Sequence, residues 1–100
     1  MRFGVFNFGA WHESETQEQV LHRLVEQAVA ADRLGYDHFW LGEHHFSRHG
    51  ILTDPMIVAA HLAARTERVR LGTAVVVLPL HHPVRLAESI ATVDVLSGGR

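Results

Sequence analysis

The apolar positions along the chain alternate between a strand-like and a helix-like spacing, three times over. Phe3 to Phe8 is a short aromatic and β-branched run that predicts a first strand almost at the N-terminus. A polar stretch, Glu13-Ser14-Glu15, leads to Thr16, whose hydroxyl suits a helix cap while Gln19 completes a capping box. Leu21, Leu24, Val25, Ala28 and Ala31 then recur at spacings of three and four, which predicts a helix running to about Leu34. Glu15 and Glu18 near its start and Arg33 at its end suit the helix dipole, and Gly35 is placed for a left-handed stop. Phe39-Trp40-Leu41, entered through Tyr36-Asp37, predicts a second strand. Asp54-Pro55 then opens a second helix as cap and first-turn proline, with Ile57, Val58 and Leu62 carrying it to about Arg65. Val69 to Leu78 is nearly unbroken apolar sequence and predicts a third strand covered on both faces, stopped by Pro79. A third helix is expected from near Pro83, through Leu86, Ala87, Ile90 and Val93, to Ser97-Gly98-Gly99.

Strands alternating with helices imply parallel pairing through right-handed crossovers, in a doubly wound sheet or a closed barrel. A dinucleotide-binding sheet calls for G-x-G-x-x-G in the first strand-to-helix turn, and Asn7-Phe8-Gly9-Ala10-Trp11-His12 does not supply it. The expected fold class is therefore α/β, the first three βα units of a (β/α)8 TIM-type barrel, with residues 1–100 as the N-terminal part of one barrel domain. A barrel takes roughly 250 residues, and Gly98-Gly99-Arg100 reads as a turn launching a fourth strand. The chain is accordingly expected to be a truncated piece of a longer protein. On its own, with open strand edges, it should be poorly stable.

Composition adds mostly exclusions. The chain is 47% hydrophobic, with a formal net charge of −2, and neither a nucleic-acid footprint nor a polybasic membrane patch is present. It has no cysteine, hence no disulfide framework or thiolate nucleophile. No apolar run approaches the roughly 20 residues of a membrane span, and a cytoplasmic location is expected.

In either architecture the active site lies at the carboxyl ends of the strands. Six of the nine histidines fall there: His12, His44, His45, His49, His81 and His82. His22, His38 and His61 lie on or before helices and strands, where surface or core roles are the simpler reading. A metal reading draws on the histidines with Glu43 and Asp54, but no H-x-H strand, H-E-x-x-H helix or cysteine supports it. A base-catalyst reading needs a single imidazole at a strand end. A purely structural reading has the histidines bonding loop carbonyls, and Trp11, Trp40 and Phe46 packing as ordinary aromatics.

Phe39-Trp40-Leu41-Gly42-Glu43-His44-His45-Phe46 closely resembles the second-strand motif of the bacterial-luciferase-like flavin-dependent monooxygenases. Gly72 to Pro79 followed by His82-Pro83-Val84-Arg85 is similar to the third strand and helix start of that family, and Asp94 to Arg100 to its third helix end. The three blocks occur in order and cover nearly the whole chain. The resemblance implies a barrel enzyme that oxygenates a small organic substrate with reduced FMN and O2, drawing on NAD(P)H directly or through a partner flavin reductase. It assigns His44 as the catalytic histidine and His45 as its pocket-shaping neighbour, and it sets Phe6, Ala74 and Val75 against the flavin. It further implies a cis Ala74–Val75 peptide, a flavin phosphate site in later strand ends, and a dimer through helices two and three, where the Ala59, Ala60, Ala63 and Ala64 cluster lets another helix approach closely; packing of that cluster against the protein's own barrel is the competing reading. A flavin or deazaflavin reductase on the same barrel, a metal-dependent barrel hydrolase and a non-catalytic flavin-binding relative remain as alternatives.

Overall fold

A computed structural model describes all residues, 1–100. Three strands, β1 (Gly4–Asn7), β2 (His38–Leu41) and β3 (Arg70–Thr73), form a parallel sheet in the order β1-β2-β3. Three helices follow them in turn: α1 (Gln17–Leu34), α2 (Pro55–Ala63) and α3 (Pro83–Ser97).

The register sorts the sheet into two faces. Val5, Phe39 and Leu71 are aligned partners and face the helices; Phe39 is fully buried in a core with Leu24, Ala28, Leu41, Leu62 and Val69. Phe6, Trp40 and Gly72 are partners on the opposite face, which is the interior face of a barrel. Gly72 is dictated by close approach, because a Cβ there would collide with the indole of Trp40. On the free edge of β3, the N–H of Leu71 donates to the carbonyl of Arg100 at 2.8 Å. The turn after α3 thus brings Arg100 alongside β3.

The helix ends follow the expected chemistry. Thr16 and Gln19 form the reciprocal capping box, and Gly35 is left-handed at φ 82° with its N–H on the carbonyls of Ala31 and Asp32. Asp54 accepts from the N–H groups of Met56 and Ile57 ahead of Pro55. Within α1 the buried stripe is Val20, Leu24, Ala28 and Ala31, so it lies slightly off the expected face. Leu21 is left 38% exposed on its flank.

The third strand differs most from expectation. It ends at Thr73 rather than Leu78, and the Ala74–Val75 peptide is cis, as the resemblance implies. Beyond Thr73 the backbone is held by specific groups instead of a continuous ladder. Ala74 donates to the carbonyl of Leu41 at 2.8 Å, Val75 accepts from Glu43 N–H, and Val77 donates to the Glu43 carboxylate. Pro79 sits inside a single 3-10 turn, Leu78–Leu80, and does not mark the strand end.

At the opposite end of the sheet, buried Asp32 holds the entry to β3. Its carboxylate accepts from the backbone N–H groups of Glu67, Arg68 and Val69 at 3.1, 2.8 and 2.7 Å. Burial pushes this carboxyl up, but those donors and the Arg68 charge outweigh it and hold it below the ordinary aspartate value.

Candidate active site at the carboxyl ends of the strands

The β2–α2 loop starts where β2 still runs extended, so successive side chains alternate in direction. Glu43 and His45 fall on one side and His44 on the other, and the three have separate fates. The Glu43 side chain is completely buried. Its carboxylate accepts from His45 Nε2 at 2.6 Å, from His81 Nε2 at 2.9 Å and from the N–H of Val77 at 2.8 Å. Burial pushes Glu43 up, yet the hydrogen bonds from His45, Val77 and His81 and the His81 charge together hold it below its ordinary value of 4.5. An ionised Glu43 is acceptor-only, so both imidazoles carry their proton on Nε2. The group fastens the β2–α2 loop to the β3–α3 loop.

His44 is half-buried and has no hydrogen-bond or ion-pair partner for its ring. Its neighbours are aromatic: Phe8 at 5.1 Å and His49 at 5.5 Å between ring centroids. Phe8 in turn lies 5.5 Å from Phe6, so an aromatic chain runs from the sheet's interior face to the loop. The His44 backbone is fixed by its N–H on the carbonyl of Leu52 at 2.8 Å, and the same loop returns through Ile51 N–H to the Gly9 carbonyl. Gly50 is required in this return, since a Cβ there would come within 2.6 Å of the Phe8 ring and 3.0 Å of His44.

Phe6, Ala74 and Val75 come to the same end of the sheet. All three are solvent-exposed, Phe6 by 51% and Val75 by 64%, and none bears a charge. Their small or flat apolar surfaces, beside backbone held by Leu41 and Glu43, suit one face of a planar ring system. The nearest carboxylate, Glu43, is turned away into its histidine pair. Of the clustered histidines, His44 and His49 thus meet on one side and His45 and His81 on the other. His12 and His82 are exposed, with His82 capping α3 without a side-chain bond. His22 and His61 are exposed on helices, and His38 stacks on Trp40 at 5.6 Å. No three His, Asp or Glu groups are placed to share a metal ion. No helix is long and apolar enough to cross a membrane.

The sequence reading did not assign Glu43 its central position. The available signal was the spacing of a carboxylate and an imidazole two residues apart at a strand end, which puts them on one side. His81 is brought in by the fold alone.

This geometry has close counterparts. The family model of luciferase-like monooxygenases matches residues 1–100, and the chain belongs to that family. It is 41% identical to the alkanal monooxygenase alpha chain of a Kryptophanaron alfredi symbiont, over all of this chain and 28% of that protein. It is 40% identical to the oxygenase component of the flavin-dependent trigonelline monooxygenase of Acinetobacter baylyi, over all of this chain and 28% of that one. Among solved structures, monooxygenase RslO1 from Streptomyces bottropensis superposes with a TM-score of 0.93 at 36% identity, over all of this chain and 31% of its own. The chain therefore spans less than a third of the length of these relatives.

Proposed function

We propose that this chain contributes the strand-end face of a flavin-dependent monooxygenase acting with reduced FMN and O2 on a small organic substrate. The observation that carries the reading is that the unpartnered imidazole of His44 connects through Phe8 to Phe6, at the strand ends where exposed Ala74 and Val75 also emerge. When bound, the flavin supplies the oxygen chemistry. Phe6, Ala74 and Val75 hold one face of its ring and keep water from it. His44, free of protein partners, moves a proton at the substrate as the catalytic residue. His45, committed to Glu43, shapes the pocket wall. Electrons come from NAD(P)H, delivered by a separate flavin reductase; the description of the Acinetobacter relative as an oxygenase component supports that arrangement.

The test is substrate-dependent O2 uptake by the intact protein with reduced FMN, scored by incorporation of labelled oxygen into product. Alkanals and N-methylpyridinium carboxylates are the first substrates to try. Incorporation above the flavin's own autoxidation is expected. Substrate reduction with no oxygen incorporated would move the protein to the reductases of the same barrel.

The proposal includes a dimer through α2 and α3. Of the four clustered alanines, Ala59 and Ala63 are buried within the chain itself and are not available to a partner, Ala60 is half-buried and Ala64 is exposed. Ile57 on α2 is 69% exposed, and on α3 Val84, Ile90, Val95 and Leu96 are exposed as well, so both helices keep apolar side chains open to a partner. Light scattering of the intact protein should return the mass of two copies, and a monomer at high concentration would remove this part.

A further inference from the structure

A hollow of about 290 Å3 lies between the β1–α1 and β2–α2 loops, with His44 in its wall, and is lined further by Trp11, Phe46, Arg48, Ile51 and Thr53 among others. Its size is at the small end of small-molecule sites. Its walls are fixed from within the chain. The Trp11 indole donates to the Glu15 carbonyl at 2.7 Å, and Arg23 holds the neighbouring Ala10 carbonyl at 2.7 Å. The opposite wall is pinned by the Ile51 and Leu52 bonds to β1's exit and by the tight seating of Gly50 on Phe8. Phe46 stands at the lip with a left-handed backbone, φ 52°, and its ring wholly in solvent. A bulky residue is uncommon in that region, and such positions concentrate at ligand clamps.

Charge is what distinguishes this hollow. No Asp or Glu lines it, and Arg48 is its one permanent charge. The Arg48 guanidinium rests over the Trp11 ring, 4.9 Å from its centroid, with no carboxylate partner. The nearby carboxylate, Glu15, is occupied: it takes two bonds from Arg23, both at 2.9 Å, and one from the N–H of His12. A guanidinium parked on an aromatic face presents its in-plane N–H donors to whatever enters beside that ring.

We infer that this hollow is the substrate site and that Arg48 selects a flat, anionic substrate: an aromatic or conjugated ring bearing a carboxylate, phenolate or enolate. The ring lies between Trp11 and Phe46, the anionic group meets Arg48, and the far edge faces His44. This inference rests on the oxygenase reading for its chemistry, but binding tests it separately. A neutral long-chain substrate leaves Arg48 without a partner, so the hollow sorts substrates by charge.

The experiment is calorimetric titration of the flavin-free intact protein with 2-naphthoate and with its uncharged methyl ester. A charge-assisted hydrogen bond is worth enough that the anion should bind at least about tenfold more tightly than the ester. Arg48→Gln should remove that advantage and leave the ester unchanged, while Arg48→Lys should retain part of it. Trp11→Phe should weaken both ligands. Equal affinity for anion and ester, undiminished anion binding in Arg48→Gln, or no binding of 2-naphthoate would each overturn the inference. If 2-naphthoate binds through Arg48 but no substrate elicits oxygen incorporation, the anion site stands and the oxygenase reading fails. Oxygen incorporation into neutral alkanals with no Arg48-dependent binding gives the opposite result.

Discussion

His44→Ala should lower turnover of the intact enzyme by roughly 10²–10⁴-fold, the range typical of a lost general acid–base group. Flavin binding should persist, because Phe6, Ala74 and Val75 are untouched, and added imidazole should restore part of the rate. The direction of the side chains is what favours His44. A proton carrier needs a ring nitrogen that is free to meet the substrate, and His44 has no protein partner. It is nonetheless held in place by Phe8, His49 and the backbone bond to Leu52. His45 has Nε2 committed at 2.6 Å to a buried carboxylate, which makes it a rigid part of the wall. His45→Ala is therefore expected to act through loop position and cost less in turnover than His44→Ala. Steady-state rates of the two variants, each with flavin affinity measured alongside, decide the matter. Near-normal turnover in His44→Ala together with its abolition in His45→Ala would transfer the role to His45.

Much of the fold was legible because local chemistry and tertiary demand agree. The Thr16–Gln19 box, the Asp54-Pro55 start and the Gly35 stop are short-range signals, and each helix begins or ends where they indicate. The strand-end placement of the histidines followed from the alternation of strands and helices alone. The third strand is shorter than its apolar run, which continues past the sheet. Val75 and Leu78 are apolar and yet exposed, at 64% and 66%, so hydrophobicity there marks a surface awaiting contact and not a buried strand. Periodicity has no means of separating those two cases. The site was legible as a region but not as a circuit. Glu43 and His44 are neighbours in sequence, whereas the backbone points their side chains apart. The partners Glu43 does take, Val77 and His81, lie 34 and 38 residues away. Arg48 carries no signal in the sequence, because a single arginine in a loop makes no pattern; in the structure it forms no ion pair, and Glu15 is committed to Arg23.

Glu43→Leu should be the most destabilising change at this end of the sheet, by about 1–3 kcal/mol, the cost of donors left without their acceptor. Three donors lose their acceptor at once: the Nε2–H groups of His45 and His81 and the backbone N–H of Val77. Leucine offers no acceptor to any of them. Glu43→Gln keeps the shape and one carbonyl oxygen, but its amide nitrogen then faces an imidazole donor. An intermediate loss is expected, with flavin affinity falling because the Ala74–Val75 segment hangs from the same contacts. The pH dependence has a definite sign. Glu43 is held below its ordinary value of 4.5 in the folded chain, so the unfolded state binds the proton more readily. The stabilisation is fully present above that ordinary value and is lost as pH falls through the lower folded value. The groups facing it are His45, His81 and the Val77 amide, with no other carboxylate among its bonds. Denaturant midpoints of wild type and Glu43→Leu, compared at pH 7 and at successively lower pH below 4.5, should therefore converge on acidification. A gap that stays constant through that range would mean Glu43 acts through packing and not through its charge.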